Sequence, residues 1–75
     1  MSGRPEKHSL SLRGHRTSVS LEVEFWREFR RIAAADQKPI NALAAEIDAA
    51  RDPEVGLASS IRVFVLNRIL DERGR

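Results

Sequence analysis

One short segment, Arg16-Thr17-Ser18-Val19-Ser20-Leu21-Glu22, alternates residue by residue and limits what the chain can become. Thr17, Val19 and Leu21 fall on one side, Arg16, Ser18 and Ser20 on the other, the period of two expected of a half-buried strand. No other segment reads as convincingly as a strand, so the expected fold is mostly α with one strand per chain. A lone strand leaves its backbone N–H and C=O groups without partners. Pairing with the same strand of a second chain is expected to satisfy them. Length argues the same way, because a 75-residue chain buries a small share of its surface. Without cysteine it has neither disulfides nor thiolate metal sites to staple it. Enlarging the core by oligomerisation is the remaining route.

After the strand, expected over 15–22, the period becomes helical. Leu21, Phe25, Phe29, Ile32 and Ala33 recur at spacings of three and four, with Trp26 beside them and charged residues between. This predicts a helix over about 23–36, broken at Asp36-Gln37-Lys38-Pro39. Pro39 suits the first position of a second helix, over about 39–51, with Ile40, Leu43, Ala44 and Ile47 as its apolar stripe. A third segment, 57–73, mixes alternation at Ile61, Val63 and Val65 with a helical face of Leu57, Ile61, Phe64, Val65 and Ile69. Its length decides for a helix, apolar around much of its girth and expected to be buried on several sides, with Ser59 or Ser60 capping its start. No internal repeat is expected.

Residues 1–13, with Gly3, Pro5 and then Gly14 discouraging regular structure, read as a flexible basic arm ahead of a domain at 14–73. Within residues 1–20, Arg4, Lys7, Arg13 and Arg16 face Glu6 alone, a net of +3, although the whole chain carries only +2. A basic arm on a near-neutral body suggests an anionic partner, nucleic acid above all. No apolar run approaches the length of a membrane span, and the first residues lack the apolar stretch of a secretory signal. A cytoplasmic, nucleoid-associated protein is expected, with no membrane partner.

His15-Arg16-Thr17-Ser18-Val19-Ser20-Leu21-Glu22 followed by Phe25-Trp26 resembles the ribbon-helix-helix superfamily of bacterial DNA-binding proteins. Ile40-Asn41-Ala42-Leu43 resembles the start of that fold's second helix. Ser59-Ser60-Ile61-Arg62-Val63-Phe64-Val65-Leu66 resembles the third helix of a short subgroup. The resemblance implies an intertwined homodimer with an intermolecular two-stranded antiparallel β-ribbon plus an additional C-terminal helix. It implies that the outward residues Arg16, Ser18 and Ser20 read base edges in the major groove of double-stranded DNA, about an axis near Ser18. Thr17, Val19 and Leu21, with Phe25, Trp26 and Phe29, become the dimer core. The start of the second helix, Lys38, Ile40 and Asn41, becomes the phosphate anchor, although Pro39 stands where the family often has a capping serine or threonine.

Physical chemistry supports these roles independently. The major groove admits a two-stranded ribbon, and arginine's planar fork fits the O6 and N7 acceptors of guanine. Serine both donates and accepts, so it reaches several bases and specifies few. Arg13 and His15, just before the strand, are further phosphate candidates. The helix N-terminus supplies free N–H groups and a positive dipole end.

Other chemistries find little support. His8 and His15 lack ligand companions at helical spacing, so neither a metal nor a cofactor is expected. Glu24/Glu28 and Glu46/Asp48 sit on charged faces without a nucleophile, so no catalytic residue is expected and the protein is not read as an enzyme. Trp26 could stack on a base, but its spacing from Phe25 and Phe29 assigns it to the core or dimer interface. The expected function is a repressor-type transcription regulator acting as a homodimer, with higher assembly on DNA open. The alternative is an adaptor or antitoxin-like module whose third helix docks a protein partner. Antitoxins of this superfamily usually carry a longer tail than the few residues expected after this helix.

Overall fold

The computed structural model describes residues 3–74. Two strands, β1 (Glu6–Leu12) and β2 (His15–Leu21), precede three helices: α1 (Val23–Ala35), α2 (Ile40–Ala50) and α3 (Leu57–Arg73). The strands pair antiparallel within one chain, from Glu6 opposite Leu21 to Leu12 opposite His15. This corrects two expectations. The ribbon is closed by one chain, and residues 6–12 of the supposed flexible arm are its first strand (residues 1 and 2 of that arm lie outside the described residues).

The reason lies at Arg13-Gly14. Both residues have positive φ, 51° and 85°, the conformation of a two-residue turn whose twist matches that of the flanking strands. Gly14 therefore joins two strands where it seemed only to break structure. Upstream, His8, Leu10 and Leu12 alternate toward the helices. Leu10 (2% exposed) and Leu12 meet Val19 and Leu21 in the core.

The three helices cover this inner face, with α2 against β1 and α3 against β2. Phe29, Ile32, Leu43, Ala44, Ile61 and Val65 complete a core buried inside a single chain. Phe25 and Trp26 are half-buried against it. Thr17, expected in the core, is exposed. It lies on the inner side opposite Leu10, but there the wall opens into a cleft of about 350 Å³, shared with His15, Ala45, Asp48 and Leu57.

Helix boundaries follow local chemistry. Gln37 adopts a left-handed φ of 56°; the Lys38 N–H then bonds the Ala33 carbonyl and the Gln37 N–H that of Ala34, satisfying the end of α1. Pro39 precedes α2 and its carbonyl accepts the Leu43 N–H. At α3 neither serine caps; the Ser60 hydroxyl donates back to the Gly56 carbonyl at 3.0 Å. Arg51 closes the connection before α3 by bonding Asp48 and the Val55 carbonyl.

Helix α3 is less enclosed than its composition suggests. Ile61 and Val65 are buried, but Val63, Leu66 and Leu70 are 56%, 51% and 52% exposed along one stripe. Its charged residues tie the helices together. Arg68 grips Asp36 through two bonds of 3.0 and 2.6 Å, and Arg31 joins Glu72 and Glu28. Arg68 and Glu72, four residues apart on α3, thus each bond a partner outside α3.

Candidate nucleic-acid interface

Directly opposed residues of an antiparallel pair share a face. The register places Lys7 with Ser20, Ser9 with Ser18 and Ser11 with Arg16 on the outer face. All six are exposed. The structure thus brings Arg16, Ser18 and Ser20 together on one outward surface. It adds Lys7, Ser9 and Ser11, which sequence reasoning missed. Their signal was the alternation of residues 7–12, hidden by the histidine at one of its inward positions.

This face carries no acidic side chain. Among the described residues, Lys7, Arg13 and Arg16 make no ion pair. Most cations of the helices and their connections are spent internally: Arg31 on Glu28 and Glu72, Lys38 on Glu46, Arg51 on Asp48, Arg62 on Glu22 and Arg68 on Asp36. Arg27 and Arg30, around a shallow depression beside Trp26 on α1, and Arg73 at the end of α3 are exceptions. The Arg62 guanidinium holds the Glu22 carboxyl below its ordinary pKa, and Arg68 does the same for Asp36.

Arg13 stands exposed at the ribbon tip. His15 shares the inner side with Leu12 and lines the cleft instead of the outer face. The Lys38 ammonium lies 2.8 Å from Glu46. Ile40 is half-buried against the core. Asn41 has a role not foreseen: its Oδ1 accepts the Ser11 N–H at 3.0 Å, fastening the first turn of α2 to the outer edge of β1. On the other edge, Arg62 donates to the Ser20 carbonyl at 3.2 Å. Each edge of the ribbon is thereby pinned to a helix.

Beneath the open end of the ribbon, His8 stacks on Trp26 with ring centres 3.8 Å apart and planes within 7°. Trp26 in turn tilts against Phe29 at 6.1 Å. Trp26 is therefore held by side chains of its own chain.

The pattern of the ribbon-helix-helix domain family matches residues 5–69, from just before β1 to near the end of α3. The chain belongs to the ribbon-helix-helix family. No curated protein and no solved structure matches it. The family is one of DNA-binding regulatory modules, typically without catalytic activity. The matched span includes both strands, so the single-chain ribbon lies inside the family domain. None of the helices among the described residues is long and apolar enough to cross a membrane.

Proposed function

We propose that this ribbon-helix-helix protein is a sequence-specific DNA-binding regulator, a repressor acting as a homodimer in the bacterial cytoplasm at the nucleoid. The observation that carries the proposal is the outer ribbon face, made of unpaired cations and serines without a carboxylate. Two strands about 4.8 Å apart fit a major groove about 12 Å wide. There Arg16 reads guanine through O6 and N7, while Ser18 and Ser20 make adaptable contacts. Arg13 at the tip and the first turn of α2, beside β1 through Asn41, anchor phosphates. Lys38 contributes less than its charge suggests, because Glu46 neutralises it. His15, turned to the cleft, is the weakest of the expected anchors.

Selection from a random duplex library tests the reading. Arg16→Ala should erase a base preference that the wild type shows, while the variant stays folded. Retained preference refutes the assignment. Binding should also fall steeply with salt, as counterions leave the phosphates.

The exposed stripe Val63-Leu66-Leu70 supports both the homodimer and a second reading, in which α3 docks another protein. Replacing all three by serine separates them. A shift to monomer assigns the stripe to self-association; an unchanged dimer favours the adaptor.

A further inference from the structure

The two strands of the ribbon are copies of one pattern. Residues 7–12 read Lys-His-Ser-Leu-Ser-Leu and residues 16–21 read Arg-Thr-Ser-Val-Ser-Leu, an offset of nine. The same offset carries Glu6–Leu12 onto His15–Leu21, the observed bounds of the strands. No repeat was expected in this chain, and conservative exchanges conceal it.

The register turns this repeat into symmetry. Ser9 lies opposite Ser18. A two-fold axis between them, perpendicular to the ribbon, exchanges Lys7 with Arg16 and Ser11 with Ser20. The outer face therefore has a cation at each of two diagonal corners and serines at the four other positions. The inner face breaks the symmetry: His8 stacks on Trp26, whereas its counterpart Thr17 opens onto the cleft. Likeness is thus complete over the three outer pairs, which no helix of this chain covers, and fails within the repeat at one inner pair, His8 and Thr17, where the helices differ. Packing does not demand it, and serine is not among the residues favoured in strands.

We infer that one chain reads DNA with internal quasi-two-fold symmetry, and that Lys7 is a base-reading residue equivalent to Arg16 in the opposite half of the element. This rests on the DNA-reading role proposed above. A strand pair of this symmetry, seated in the major groove, meets two antiparallel DNA strands with similar groups. The element under one ribbon is then an inexact inverted repeat. Lysine and arginine both donate to guanine O6 and N7, arginine with the stricter fork geometry, so the Arg16 half is the more sharply specified.

The test is library selection with the wild type, Lys7→Ala, Arg16→Ala and Lys7→Arg, on the shortest duplex that the protein still binds, with native mass spectrometry counting the chains on it. Circular dichroism checks that each variant is folded, as expected for exposed positions. Arg16→Ala should lose on the order of ten-fold base discrimination in one half of the element, and Lys7→Ala should lose preference only in the other. Lys7→Arg should make the halves converge. The inference is overturned if Lys7→Ala weakens all sequences equally while Arg16→Ala still relaxes preference, since Lys7 would then touch phosphate alone. A wild type with no preferred sequence sinks the DNA-reading proposal itself, a different result.

Discussion

Replacing Leu10 by alanine probes whether β1 is part of the folded core. The Leu10 side chain is 2% exposed and lies among Leu12, Val19 and Leu21 under the ribbon. Truncating a buried leucine costs about 2–5 kcal/mol, from lost transfer energy and the cavity left behind. A domain of this length has a total stability of roughly 4–11 kcal/mol. The loss is thus a large share of the whole. At about 4–8 °C per kcal/mol for domains of this size, the midpoint should fall by at least about 8 °C. Thermal denaturation followed by circular dichroism measures it, with urea unfolding as an independent estimate. Ser9→Ala, next in sequence but on the outer face, serves as the control and should lie within about 0.5 kcal/mol of wild type. If Leu10→Ala also melts within a degree or two of wild type, residues 6–12 do not pack on the helices and the single-chain ribbon is refuted.

Three further outcomes can be checked on the same instruments. Gln37→Gly should raise stability by roughly 1 kcal/mol, because glycine accepts the left-handed φ that ends α1 without a Cβ penalty; a lower midpoint would contradict this. Asn41→Ala should cost about 1 kcal/mol by removing the acceptor for the Ser11 N–H and should raise amide exchange at Ser11. Glu22 and Asp36 have pKa values lowered by folding through Arg62 and Arg68. Their stabilisation is therefore full above the ordinary carboxylate range and disappears as pH falls through that range to their folded values. Arg68→Ala should flatten that acid dependence, and an unchanged profile would deny Asp36 its role.

Much of this architecture can be read from local pattern. The alternation of residues 16–21 assigns Arg16, Ser18 and Ser20 to the outside. The three helices fall within a residue or two of their expected ends, because Pro39 and the apolar spacings mark them. What escapes are features that depend on partners distant in sequence. Alternation tells which way Thr17 points, but whether it is covered depends on how closely α2 and the start of α3 approach. Asn41 looks like a free helix-start residue until β1 is known to run alongside it. The cross-helix pairs Arg68–Asp36 and Arg62–Glu22 join residues more than thirty positions apart, which no helical spacing reveals. The first strand was obscured by composition: glycine, proline and a polar inward residue resemble a tail when read singly.

The two-residue turn at Arg13-Gly14 makes the proposed reading surface independent of concentration. A ribbon assembled from two chains vanishes on dilution, because its halves separate. Here the second strand is tethered to the first, and hairpins of this kind close in about 1–10 μs. The outer face is present on every folded copy however few copies there are. On the proposed function, self-association would govern how many ribbons engage a duplex together, and the making of each ribbon is left to the single chain.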